Sequence, residues 1–435
     1  MLIYKWIRGR IMEKYDNKYQ TYVDILKEEL VPAMGCTEPI AIAYCAAKVK
    51  ETLGALPSKI EIYVSGNIIK NVKSVIVPHT NGMHGIETAA CIGLLAGDPN
   101  KELEVLVNVK EEEILKLKSF KDSLDIMLSP VDNDHSLYIE IRAYKDKESA
   151  KVIIRDSHTN IYLIEKNNEV IYLNEKEIKK NISNIDKSLL SIEGIVEFAS
   201  IVDINDVKEV LDRQIKYNMA ISLEGLNNKY GANIGKTILK YGSDDIVKYC
   251  KALAASGSDA RMNGCEMPVV INSGSGNQGI TCSVPVIAYA EKENKKEEEL
   301  YRALVISNLC TIHIKNSIGK LSAYCGVVIA GSGAGAGICY LEGGRLEEIS
   351  HTIVNALAII SGVVCDGAKS SCAAKIASSV EAGFLGYYMY KEGNEFMGGE
   401  GIVKKGVENT IRAVGNLARR GMCETDKEII HIMID

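Results

Sequence analysis

The feature that most restricts the fold is a change of hydrophobic period partway along the chain. Between residues 59 and 175 the apolar residues come in short runs, KIEIYVS, SVIVP, LEVLVNV, LYIEIRAY, KVIIR, IYLI and VIYL, several of them strictly alternating. Alternation sends successive side chains to opposite faces of a strand, so this part predicts a sheet exposed on one face. Helical spacing at 86–96 and 111–123 interrupts the runs, and Asn167-Asn168 marks a turn. From about residue 191 nearly everything has helical spacing, first charged over 205–240 and then increasingly small and apolar. Two periods in one chain predict an α+β fold: a mostly helical domain with an inserted or N-terminal mixed α/β subdomain. Residues 1–58 read as N-terminal helices that carry a GCTEP motif and pack on the helical domain. Residues 59–187 read as the α+β subdomain, and 188–435 as the helical domain. The Lys-, Asn- and Ser-rich stretch 176–187 is the boundary.

At 435 residues the chain exceeds what one hydrophobic core usually covers. A formal charge of -6 without a basic block argues against nucleic acid or an anionic membrane as partner, and a small substrate fits better. The first residues, MLIYKWIRGRIMEKYDNK, have no apolar core of signal-peptide length. Met12 precedes a helical pattern, so 1–11, which holds the single Trp6, reads as an extension, and either Met1 or Met12 can be the native start. The 12 cysteines then read as reduced thiols of a cytoplasmic protein. Residues 323–341 lack charge over a span-like length, but five glycines and polar Tyr, Ser and Cys groups make them a buried, glycine-rich segment rather than a membrane span.

Four stretches can carry chemistry. In GCTEPIAIAYCAAKVKETLG, Thr37 can cap a helix, Pro39 is tolerated in its first turn and Gly54 ends it, which leaves Cys36 at a helix N-terminus where a thiolate is favoured. VPHTNGMHGIE gathers His79, Asn81 and His84 on a glycine-rich turn before a helix. The two histidines, five apart without a third ligand, are a weak metal signal. NSGSGNQG, with Ser273, Gly274, Ser275, Gly276, Asn277 and Gln278, makes a loop whose backbone can approach a carboxylate or phosphate closely. GVVCDGAKSSCAAKI places Cys365 and Cys372 seven apart among small residues. On an unbroken helix those thiols would stand roughly 10 Å apart along the axis, so a break at Asp366-Gly367 is needed to bring them to one site. Cys325 precedes the run GSGAGAG, which reads as close helix packing rather than a dinucleotide loop; Cys282, Cys310 and Cys339 read as core.

Taken together, MGCTEPIAIAYCAA, VPHTNGMHGIE, MPVVINSGSGNQGI, LSAYCGVVIAGSGAGAGI and GVVCDGAKSSCAAKI resemble the iron–sulfur-dependent L-cysteine desulfidases, relatives of the bacterial L-serine dehydratase alpha chain. The resemblance runs from about residue 20 to residue 420. It implies an oxygen-sensitive, cytosolic lyase that breaks L-cysteine into pyruvate, ammonia and sulfide without pyridoxal phosphate. It places the [4Fe–4S] thiols on Cys325, Cys365 and Cys372, with Cys36 as a further functional cysteine, either base or fourth ligand. Where some relatives have another Cys in the glycine run, this chain has Ser332. The carboxylate of a small amino-acid substrate would lie on NSGSGNQG, with His79 and Asn81 beside it. The rival readings are an L-serine dehydratase-type lyase, a pyridoxal-phosphate lyase with Lys369 as Schiff base, and a non-catalytic binding protein. A homodimer is possible.

Overall fold

In the computed structural model the described residues are 12–14, 16–34, 37–131, 133, 135, 137–174, 185–241, 244–319 and 322–434. The chain begins with α1 (Asn17–Glu29), started by Asp16, whose carboxylate accepts from Tyr19 N at 2.7 Å. A short strand β1 (Pro32–Met34) leads to α2 (Thr37–Leu53), which Gly54 ends at φ +84°. Then come β2 (Lys59–Ser65), α3 (Gly66–Val72), α4 (Ile86–Ala96), α5 (Glu111–Ser123) and β3 (Asp125–Val131). The meander β4 (Tyr138–Lys145), β5 (Glu148–Arg155), β6 (Ile161–Lys166) and β7 (Glu169–Leu173) completes a six-stranded sheet of order β3-β2-β4-β5-β6-β7. Only the β2–β3 pair is parallel.

Five of the predicted runs form strands, β2 and β4–β7, with burial that alternates in β2, and two runs do not. Residues 103–109 form turns, because neighbouring Val105 and Leu106 are both buried while Leu103 and Val107 are exposed. Consecutive burial is a turn pattern that the alternating letters conceal. The run SVIVP contributes one bridge, Ile76 to His84, and otherwise closes the turn before α4. The unpredicted β3 is an edge strand with little burial, so its hydrophobic signal is weak.

The helical part runs α6 (Ile192–Ile201), α7 (Ile204–Asn227), α8 (Ile234–Lys240), α9 (Ile246–Met262), β8 (Pro268–Val270), α10 (Gly276–Lys292), α11 (Glu297–Ile318), α12 (Gly326–Leu341), α13 (Leu346–Ile360), α14 (Cys372–Lys391), α15 (Val407–Asn416) and α16 (Cys423–Ile434). The fold is α+β and mostly helical. Among the described residues no helix is long and apolar enough to cross a membrane.

Apolar burial divides into two main cores. One joins α1 to the helices from α6 to α15, and the other lies between the sheet and helices α2 and α4. The two N-terminal helices therefore pack in different cores. α2 lies on the sheet, while β1 pairs antiparallel with β8 and ties the entry to α2 to the helical part, Met34 opposite Pro268. α16 crosses back, packing Ile430 and Met433 on the sheet-side core.

Close approach of backbones fixes α12. A Cβ on Gly331 would lie 2.3 Å from Ser379 O, and one on Gly335 would lie 2.7 Å from Gly383 O. Gly333 and Gly337 do the same against Thr311 and Ala303 of α11. Contacts 331 with 379 and 335 with 383 advance together, so α12 and α14 run parallel and begin level with each other. The GSGAGAG run is helix packing, as its composition suggested.

Candidate active site

Two helix starts and one loop gather the thiols. Cys325 is the N-cap of α12 and Cys372 the first residue of α14, so parallel packing brings both to one end of the helical layer. Cys365 lies on the segment between α13 and α14. That segment is held by a bridge between Tyr324 and Val364 and by Cys325 N donating to Val363 O at 3.0 Å. Gly367 follows at φ +94°, and a Cβ there would lie 1.9 Å from Lys70 O, which also accepts from Ala368 N at 3.0 Å. Only glycine fits both the backbone and the space. The sequence-predicted break at Asp366-Gly367 is therefore present: Cys365 is on a loop and Cys372 opens the next helix.

The electrostatics divide the three thiols, favouring the anion at Cys365 and disfavouring it at Cys325 and Cys372. The neighbouring Cys325 thiol pulls Cys365 below the ordinary thiol range against burial, with help from Lys70, the Gly367 N–H and Lys375. The same pairing, together with burial, pushes Cys325 well up. Burial pushes Cys372 up, while its Sγ contacts Gly367 O at 3.4 Å. Elsewhere burial raises the thiols, Cys282 and Cys339 both to about 12, as suits core cysteines. Lys315 of α11 faces Cys365 and Cys325; burial pushes its ammonium down and the two thiols oppose that. Lys70 is 3% exposed and ion-pairs with Asp426 of α16 at 2.5 Å.

Lys375 donates to Val364 O at 2.8 Å and pairs with Asp366. Lys369 also pairs with Asp366, and donates to the carbonyls of Asp366 and Gly367. Burial works against the Asp366 carboxylate, yet these two lysines hold it at about 2. The amine of Lys369 is thus committed to structure, which removes support from its reading as a Schiff base.

Among the described residues no three His, Cys, Asp or Glu side chains converge tightly enough for a single metal ion. Three thiols spread over two helix starts and a loop, with lysines behind them, are a wider and softer donor set, and this fits an anionic iron–sulfur cluster. Cys36 lies outside the described residues; its neighbours are Met34, paired with Pro268, and Thr37, whose Oγ1 is 3.1 Å from His158 Nε2.

The NSGSGNQG loop stands beside this centre. Ser273 at φ +50° and Gly274 at φ +76° turn the chain, and Ser275 caps α10 by accepting from Gln278 N. Asn277 and Gln278 are buried in the first turn. A Cβ on Gly326 would meet the Gln278 amide at 2.7 Å, so Gln278 touches the residue after Cys325. Beneath the loop runs a polar ladder that the sequence reading missed. Asn272 donates to Asn308 Oδ1 at 3.0 Å, Asn308 exchanges bonds with Gln214, and Asn218 grips Val270 through both its N–H and its carbonyl. Gln214 and Asn218, four apart and facing inward on an otherwise apolar face of α7, were the available signal.

The other turn lies across the loop that precedes β8. His79 at φ +56° and Asn81 at φ +51° sit in left-handed conformations, His79 Nε2 is 3.5 Å from Glu266 Oε1, and Ile76 packs on Gly264. Ser370 of the thiol loop donates to Asn263 Oδ1 at 2.8 Å, so the 263–266 segment bridges the thiols and the His79 turn. Asn81 is exposed at the tip and His84 bridges back to Ile76.

The fold and site define a mostly helical α+β protein that collects cysteines from separate segments beside a polar helix N-terminus. The chain belongs to the serine dehydratase alpha chain family, whose profile matches residues 100–431. A UPF0597 protein of Desulfitobacterium hafniense is 56% identical over 425 residues, covering 98% of this chain and 99% of its own. UPF0597 proteins of Lachnoclostridium phytofermentans and Fusobacterium nucleatum are 50% and 43% identical, each over 96% of this chain and at least 99% of theirs.

Proposed function

We propose that this protein is a [4Fe–4S]-dependent, pyridoxal-phosphate-independent lyase that converts L-cysteine and water to pyruvate, ammonia and sulfide. The observation that carries the reading is the meeting of Cys325 and Cys372 at level helix starts with Cys365 on the adjoining loop, and with Lys70, Lys315 and Lys375 nearby. These three thiolates would hold the cluster, and it would supply a Lewis-acidic iron for the leaving sulfur. The chain's own groups do the remainder. The first turn of α10 and the NSGSGNQG loop bind and orient the substrate, with His79 and Asn81 beside it. Cys36, which precedes α2 in the sequence, takes the proton from the α-carbon or serves as a displaceable fourth ligand. The softness of sulfur toward iron supports sulfide rather than hydroxide as the leaving group; L-serine is the alternative substrate. The protein works in the cytoplasm and is oxygen-sensitive in this reading.

The test is anaerobic purification followed by iron, acid-labile sulfide and pyridoxal analysis, with sulfide and pyruvate assays on L-cysteine and L-serine. About four irons per chain, no pyridoxal and sulfide release support the proposal. Pyruvate from L-serine at a higher kcat/KM than from L-cysteine would move the substrate to serine, and an iron-free, inactive protein would end the lyase reading.

A further inference from the structure

One cation stands at the substrate side of this centre that the loop sequence did not reveal. Arg261, in the last turn of α9, reaches over the first turn of α10. A Cβ on Gly276 would lie 2.3 Å from Arg261 Nε and 2.8 Å from its Cζ, so this glycine is what lets the guanidinium lie on the helix start. Arg261 Nη1 donates to Asn277 Oδ1 at 3.4 Å. The next residue, Gln278, is 5% exposed, and its Oε1 is buried with no hydrogen-bond partner among the described residues. Its amide abuts Gly326, next to Cys325. A buried amide oxygen is costly to leave unsatisfied, so it marks a place where a ligand supplies a donor, and the ammonium of an amino acid is such a donor. Beside it, a helix N-terminus and a forked guanidinium together favour a carboxylate. Both ends of an α-amino acid are thereby matched within one turn of α10.

Resting on the lyase reading above, we propose that Arg261 is the residue that binds the substrate α-carboxylate and makes the site select free amino acids over their esters and amides. The fork binds two carboxylate oxygens, whereas lysine offers only a point charge.

The experiment compares L-cysteine with L-cysteine methyl ester as substrates of reconstituted wild-type, Arg261→Met and Arg261→Lys proteins. Iron content and thermal melts establish that each is folded. Arg261→Met is expected to lose about 10- to 100-fold in kcat/KM for L-cysteine, chiefly through KM, while the ester changes by less than about threefold. Arg261→Lys should fall between. Equal losses for acid and ester in Arg261→Met would overturn the assignment. So would a folded Arg261→Lys with undiminished preference for the acid, which decides the matter if the Met variant does not fold. Calorimetric binding of L-alanine and L-alaninamide, neither of which has a leaving group, reads the same preference without turnover. If fully iron-loaded wild type cleaves neither cysteine nor serine, the lyase reading fails. The loss or retention of the alanine-over-alaninamide preference in Arg261→Met then decides the role of Arg261 by itself.

Discussion

At the scale of single residues, the thiol environment is what sets this chain apart from an ordinary cysteine-rich core. Burial disfavours charge at Cys282, Cys310 and Cys339, whereas Cys365 has a neighbouring thiol, a backbone N–H and two lysines around it that favour it. Replacing Cys325, Cys365 or Cys372 singly with Ala should therefore abolish most of the bound iron, read as lost visible absorbance and lost acid-labile sulfide. Cys36→Ala distinguishes its two roles: iron retained with turnover gone makes it the base, and iron lost makes it a ligand. A second residue makes a prediction about pH. Burial raises the Asp259 carboxyl from 3.8 to about 6, although the Gly235 and Ile234 N–H groups oppose this. The native state thus keeps a proton that the unfolded chain has released over that window, and stability falls as pH rises through it. Asp259→Asn keeps an acceptor for Gly235 N without the charge. Denaturant titration of the apoprotein should find the variant more stable at pH 7.5 by on the order of 1–2 kcal/mol, with the gap closing toward pH 4.

Elements position these residues by backbone contact rather than by side-chain bulk. Because α12 and α14 meet glycine to glycine, Gly331, Gly335 and Gly383 set their separation, and their parallel course sets Cys325 level with Cys372. Gly383→Val would drive its side chain into Gly331 O, for which a Cβ already lies at 2.4 Å. The expected cost is about 1–3 kcal/mol with a loss of bound iron larger than the stability change alone explains, measured by melting and iron assay on the same sample. The polar ladder under NSGSGNQG acts likewise on the substrate loop. Asn308→Ala strands Gln214 and leaves Asn272 only the bond to the residue 308 carbonyl, and should destabilise by about 1–3 kcal/mol while raising KM more than it lowers kcat.

Across the whole molecule, the two cores meet at the thiol loop. Lys70 belongs to α3 on the sheet side, its carbonyl holds Ala368 beside the thiols, and its ammonium is neutralised by Asp426 of the returning α16. Asp426→Ala leaves that ammonium buried and unmatched, and should cost about 3 kcal/mol, whereas Lys70→Met with Asp426→Ala should recover more than half of it in a chemical melt.

Much of this was legible in the letters. Gly54 announced the end of α2, short apolar runs located five of the sheet's six strands, and Asp366-Gly367 marked the break between Cys365 and Cys372. Each of these is a local effect, decided by caps, turn residues or side-chain period within a few positions. The failures are equally instructive: residues 103–109 alternate like a strand but lack a partner strand, and the edge strand β3 buries too little to leave a pattern.

The sequence by itself thus determined the two periods, the helix ends and the small-residue runs that permit close packing. Only the tertiary structure decided which side chains meet. Cys325 with Cys365, Lys315 beside both, Lys70 beside Cys365, and Arg261 with the start of α10 join segments that share no local pattern. They exist because glycine-lined helices can approach only in one register, and that register, not any motif, brings their ends to a common point.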